Sequence, residues 1–264
     1  MNSLFAARVG GVLSADVAVP EHEREARFYA RVLSTGANPL WREADLMNNL
    51  GIPIIGLGPR SADVAHLPLQ WMPHIQVADV AASVERAQAL GGSVLMHATD
   101  ADGRSQWAVL RDPHGAAFGI VPVVAAKSIP TDAVASDGAA TVGHIAWLDL
   151  TVPNAAAARD FYQQVVGWRA QEVPMEDGGT PYADYAMLGG DGSPAAGVCH
   201  ARGANAGLPP VWLIYLPVGD LAESLRRVEA EGGKVVKVVR GDDGAYRFAA
   251  IQDPVGICLA LLPG

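Results

Sequence analysis

The chain has 264 residues, half of them apolar and 18% charged, with a formal net charge of -9. That length suits two domains with cores of their own, the composition excludes a disordered chain, and the acidity excludes nucleic acid or an anionic membrane surface as partner. No apolar run approaches the span of a bilayer and no basic start with a long apolar core opens the sequence, so a cytoplasmic protein is expected.

The first strand signal is Val12 to Val19, where Leu13, Ala15, Val17 and Val19 alternate with Ser14, Asp16 and Ala18. Pro20 turns the chain, and Glu21 to Leu33 reads as a helix burying Phe28, Val32 and Leu33. Trp41 to Gly58, broken by Gly and Pro, is expected to hold three short antiparallel strands. Trp71 to Val77 is the next strand, and Asp79 caps the helix after it. Val123 to Thr141 is rich in Ala, Ser, Asp and Pro, has no period, and reads as a linker. The pattern then returns: Ala146, Leu148, Leu150 and Val152 alternate with Trp147, Asp149 and Thr151, and Asn154 caps a helix carrying Phe161, Tyr162 and Val165. Tyr182 to Cys199 is the second short-strand region and Val211 to Val218 the second long strand. Asp220 with Glu223 has capping-box spacing, Leu221, Leu225 and Val228 form an inner stripe, and Gly232 supplies a left-handed stop. The two cysteines, Cys199 and Cys258, read as free thiols.

This return is an internal repeat. Trp71, Asp79, Gly91, Gly92, Asp112, Pro113 and Gly115 recur as Trp212, Asp220, Gly232, Gly233, Asp253, Pro254 and Gly256, each 141 residues on. Upstream, Asp16 and Phe28-Tyr29 recur as Asp149 and Phe161-Tyr162, 133 residues on, so the second copy carries eight extra residues, placed among Met175 to Gly192. Residues 1–122 form one domain, 123–141 the linker and 142–264 the other. Each half reads β-α-β-β-β twice over, an α+β arrangement in which helices cover one face of a mixed sheet and the opposite face curls into a cup. The D-P-x-G turns are structural: Asp accepts the turn's backbone hydrogen bonds, Pro presets φ, and Gly takes the exit geometry.

A strand, a helix carrying F-Y, Gly-Gly after the second helix and D-P-x-G before the last strand resemble the vicinal oxygen chelate superfamily, which includes glyoxalase I, bleomycin-resistance proteins and extradiol dioxygenases. The resemblance covers nearly the whole chain as two tandem domains, and implies a U-shaped sheet around a cavity in each. Metal enzymes of that family set His, Gln or Glu on the first, fifth and last strands. Motif spacing puts Ser14, Met72 and Gly119 at those places in the first half, and Trp147, Leu213 and Ala260 in the second. None is a usual metal ligand, so no metal and no cofactor is expected. His74 has inward parity in the first cup and His144 faces the helices, whereas His22, His66, His97, His114 and His200 read as solvated.

Bulky and apolar groups take the place of the donors. Trp147 and Tyr215, with Leu213, Cys258 and Ala260 around them and Asp149 as the orienting polar group, would form a slot for a flat aromatic ligand. Ser14, Met72 and His74 line the corresponding face of the first half, which reads as mainly structural, and Trp71 and Trp212 belong to the helix-facing core. The leading expectation is a metal-free binding protein of the bleomycin-resistance type that sequesters or carries an aromatic natural product or drug. The alternatives are an enzyme of the same superfamily, metal-dependent or using Asp149, His74 or Tyr215 as acid or base, and a pure interaction module. The tandem imitates a two-chain dimer, which makes the domain junction a further place for ligand. The expected partner is a small aromatic molecule, with a homodimer left open and with neither nucleic acid nor membrane.

Overall fold

A computed structural model of the chain describes residues 6–35, 55–125 and 145–264. The first half runs β1 (Val12–Val19), α1 (His22–Leu33), β2 (Ile55–Pro59), β3 (Met72–Val77), α2 (Val80–Ala89), β4 (Ser93–Thr99), β5 (Ser105–Arg111) and β6 (Ala117–Pro122). The second runs β7 (Trp147–Val152), α3 (Ala155–Val166), β8 (Arg169–Asp177), β9 (Thr180–Leu188), β10 (Pro194–His200), β11 (Trp212–Val218), α4 (Leu221–Ala230), β12 (Lys234–Arg240), β13 (Tyr246–Gln252) and β14 (Cys258–Pro263). The sheets are ordered β2-β1-β3-β6-β5-β4 and β12-β13-β14-β11-β7-β10-β9-β8. In each, two modules meet at an antiparallel seam, β1 on β3 and β7 on β11. The second half is the β-α-β-β-β unit twice over. Met175 to Gly192 of that half takes in the end of the β8–β9 hairpin and the turn after it, and the matching stretch of the first half lies outside the described residues. Most of Trp41 to Gly58, the linker from residue 126 onward, and His144 lie outside the described residues.

Local chemistry sets the helix bounds. Asp79, Asn154 and Asp220 accept from the backbone N–H three residues on, at 3.0, 3.1 and 2.9 Å, and Gly91 and Gly232 follow α2 and α4 with φ of 85° and 88°. The expected capping box at Asp220 is only half made. Glu223 turns to Arg226 and Arg227, and the Asp220 N–H goes to Thr35 Oγ1 of the first half at 3.1 Å.

The helices are outside each cup yet inside the molecule. α1 packs on α4 and α2 on α3, and the helix-side residues of both sheets, with Trp71 and Trp212 fully buried, form one continuous core. Two smaller clusters occupy the concave faces: Leu67, Met72, Val109 and Ala117 in the first half, Leu208, Leu213, Tyr215, Ala250 and Ala260 in the second. The described part of the junction between halves is therefore packed with rings. Among the described residues no helix is long and apolar enough to cross a membrane.

Candidate functional site in the two cups

Strand register decides which side chains face one another across each cup. In the first half Ser14 pairs with His74, and His74 with Gly119. In the second, Trp147 pairs with Tyr215, and Tyr215 with Ala260. Spacing alone put Met72 and Leu213 in these rows. The structure puts His74 and Tyr215 there, two residues on, because Met72 and Leu213 sit opposite Asp16 and Asp149 instead. The side pointing into the cup is unchanged, since a shift of two keeps the face.

The second row is a plug. Trp147 Nε1 donates to Asp149 Oδ1 at 2.7 Å, Tyr215 stacks edge-on against Phe248 with centroids 5.3 Å apart, and Leu213, Ala260 and Cys258 close around them. Asp149 fits only because its neighbour on β10 is Gly197, where a Cβ would stand 2.1 Å from the carboxylate. Burial pushes the Asp149 carboxyl up to about 6, against the lowering effect of the Trp147 and Tyr215 hydrogen bonds. Burial and the nearby Asp149 carboxylate raise the Tyr215 phenol in turn. What stays open is a hollow of about 190 Å3, edged by Trp147, Asp149, Asp184 and Cys199.

The first row is hollow. Ser14, His74 and Gly119 replace indole, phenol and methyl, and Trp107 stands where Phe248 closes the other cup. Gly119 is needed here: a Cβ would meet the His74 ring at 2.9 Å. The His74 imidazole thus lies against β6 with Nε2 3.0 Å from Asp16 Oδ2, at an angle that leaves Nε2 without a true hydrogen bond. The cavity in front holds about 840 Å3 and is walled by Met72, Met96, Val109, Trp107, Leu57 and Leu67, among others. The first half, expected to be mainly structural, has the larger of these two cavities.

Met72 and His74 therefore line the large cavity, and Trp147 and Asp149 edge the small one. Leu213, Tyr215, Cys258 and Ala260 pack on one another, and Ser14 is half-buried at the back of the first row. The readings of His22 and His200 as solvated are corrected. His22 lines the large cavity and bonds the Leu57 carbonyl at 2.8 Å. His200 ends β10 with Nδ1 3.1 Å from the buried Asp184 carboxylate. Sequence parity also passed over Trp107 and Asp16 as cavity residues. Their repeat partners, Phe248 and Asp149, were the available signal.

The donors do not fit a catalytic divalent ion. The facing rows supply a hydroxyl, an imidazole and a glycine, or an indole, a phenol and a methyl; Asp16 adds one carboxylate beside His74. Among the described residues no three His, Cys, Asp or Glu side chains converge as a metal site.

Two family models match the chain, the Glyoxalase-like domain over residues 13–121 and the Glyoxalase/Bleomycin resistance protein/Dioxygenase superfamily over residues 141–261. The chain belongs to this superfamily. As a tandem glyoxalase-type protein it is 30% identical over 195 residues to the anthracycline biosynthesis protein DnrV of Streptomyces peucetius, covering 72% of this chain and 64% of that one. It is 33% identical over 115 residues to a protein of Mycobacterium tuberculosis with the provisional glyoxylase name CFP32, covering 44% and 43%. The chain thus spans less than two thirds of the length of these relatives. The fold matches 2,2',3-trihydroxybiphenyl 1,2-dioxygenase from Sphingomonas wittichii with a TM-score of 0.52 and 16% identity, over 97% of this chain and 90% of that one. At that identity the likeness is one of fold.

Proposed function

We propose that this tandem glyoxalase-type protein is a metal-free small-molecule binding protein of the bleomycin-resistance type, holding a flat, largely apolar aromatic natural product or drug in its first-half cup. The observation that carries the reading is the cavity of about 840 Å3, with thioether, aliphatic and indole walls and few polar side chains, the close pair Asp16 and His74 with His22 and Ser61. Ligand cavities of drug-sized molecules have about this volume, roughly 300–1,000 Å3, and this mixture of apolar wall and few polar groups. Two relatives are named for the biosynthesis of anthracyclines, a class of flat aromatic compounds, which supports the choice of ligand class.

Titration with a panel of flat polycyclic compounds is expected to quench tryptophan emission saturably, and Trp107→Phe to remove most of the change, because among the described residues Trp107 is the one tryptophan that lines this cavity. Failure of the whole panel to bind would sink the reading. Elemental analysis of the purified protein is expected to show far less than one equivalent of metal; about one equivalent of Zn, Ni, Mn or Fe per chain would reverse it.

A second reading, an enzyme of the same superfamily, is favoured by the His74–Asp16 pair. An imidazole beside a carboxylate at a cavity wall can move a proton without metal. Turnover of a bound compound that stops in His74→Ala but survives chelation would select it.

A further inference from the structure

Resting on the binding-protein reading, the structure assigns a charge preference to the first cup. We propose that it accepts flat aromatic molecules carrying a protonated amine or another hydrogen-bond donor and rejects aromatic carboxylates, with Asp16 as the receiving group.

The repeat supplies the argument. Asp16 and Asp149 occupy the same place on the opening strands, each opposite a glycine of the neighbouring strand, Gly56 and Gly197. In the second half the carboxylate is already occupied by the Trp147 indole N–H at 2.7 Å and the Tyr215 hydroxyl. In the first half both donors are gone. Ser14 and His74 stand in their places, and His74 Nε2 is close to the carboxylate but poorly aligned. Asp16 keeps nearly half of its side-chain surface exposed, facing the cavity. A carboxylate with a free lone pair in an apolar-walled pocket recognises a donor, best a charged one.

The countercharge is missing as well. Among the described residues no lysine or arginine lines the cavity. Arg60, on the adjoining loop, spends its guanidinium on the carbonyls of Ala18, Ala65 and Leu67. His22 spends Nε2 on the Leu57 carbonyl. An anionic ligand would meet Asp16 with no permanent cation among the described lining residues to offset it, and like charges at short range in a partly desolvated site repel.

Isothermal titration at physiological salt with three tricyclic probes of similar size tests this: proflavine (cationic), 9-anthracenemethanol (neutral) and anthracene-9-carboxylate (anionic). The expected order is proflavine, then the alcohol, then the carboxylate, with roughly a tenfold or greater gap between first and last. Asp16→Asn is expected to shrink that gap to within about threefold, chiefly by weakening proflavine and strengthening the carboxylate, and Asp102→Asn, the same charge change on an exposed hairpin, is expected to leave it in place. Equal binding of the three probes, or a gap that survives Asp16→Asn, overturns the charge preference and leaves the binding reading standing. Failure of all three to bind overturns both.

Discussion

One aspartate in two settings shows how far a neighbour decides what a residue does. Asp16 is open to a cavity, whereas Asp149 is walled in by Trp147, Tyr215 and Gly197. Burial lifts the Asp149 carboxyl from the ordinary 3.8 to about 6. Between those values the native chain keeps a proton that the unfolded chain has released, so stability is full below the lower value, falls as pH rises through the window, and levels off above it. Asp149→Asn retains an oxygen for the Trp147 indole and removes the charge. Urea unfolding at pH 8 is expected to show a gain on the order of 1–3 kcal/mol for this variant, shrinking toward zero near pH 4. An equal gain at both values would mean that packing, and not ionisation, is responsible.

At the scale of elements, the repeat signatures turn out to serve the contact between the halves. Tyr29 donates to Asp253 at 2.7 Å and Tyr162 to Asp112 at 3.0 Å, each hydroxyl also receiving a tryptophan N–H, from Trp71 and Trp212. Phe28 lies over Gly233 and Phe161 over Gly92, where a Cβ would come within 2.8 and 3.2 Å of the opposing ring. The D-P-x-G aspartates hold their own turns with one carboxylate oxygen and the other half's tyrosine with the other. Tyr162→Phe leaves both the Asp112 oxygen and the Trp212 N–H unpaired in a buried place, and is expected to cost roughly 2–4 kcal/mol in chemical denaturation. A loss below about 0.5 kcal/mol would mean that water replaces the hydroxyl. The elements themselves were legible in the sequence: Val12–Val19 begins and ends where its alternation does, and Asp79, Asn154 and Asp220 cap as their spacing requires. The partner of each signature was not, because Tyr29 and Asp253 are 224 residues apart and periodicity reports a buried face without saying what covers it. Nor was the open cup. Whether a pocket is full depends on Trp147, Tyr215 and Phe248 interlocking across three strands while Ser14, His74 and Trp107 do not, and strand register is a property of the sheet, not of any one segment.

Across the whole molecule, the two halves share one helix-side core, so they should melt together, and the near-symmetry of their interface exposes a buried ionic irregularity. Glu25 on α1 is fully buried beside Asp253, with no well-aligned hydrogen bond to either carboxylate oxygen; its counterpart on α3 is Ala158, so Asp112 faces no second acid. Burial, and then the charge of Asp253, push Glu25 up to about 8 from an ordinary 4.5, with Arg24 only partly opposing and Glu21 adding to the rise. The native state therefore binds a proton here that the unfolded chain gives up from about pH 4.5, and stability drains away as pH climbs toward 8. From pH 7 to 8.5 Asp149 has finished titrating, which leaves the buried Glu25–Asp253 pair. Scanning calorimetry should give a single transition whose Tm falls across that interval in the native protein. Glu25→Gln should flatten it, with a gain at pH 8.5 on the order of 2–4 °C for each kcal/mol recovered. Glu25→Ala, which copies the other half, should flatten it as well, at the cost of a small cavity. A Tm that falls equally in all three proteins would place the titrating group elsewhere, and two separate transitions would show that the halves do not share their stability.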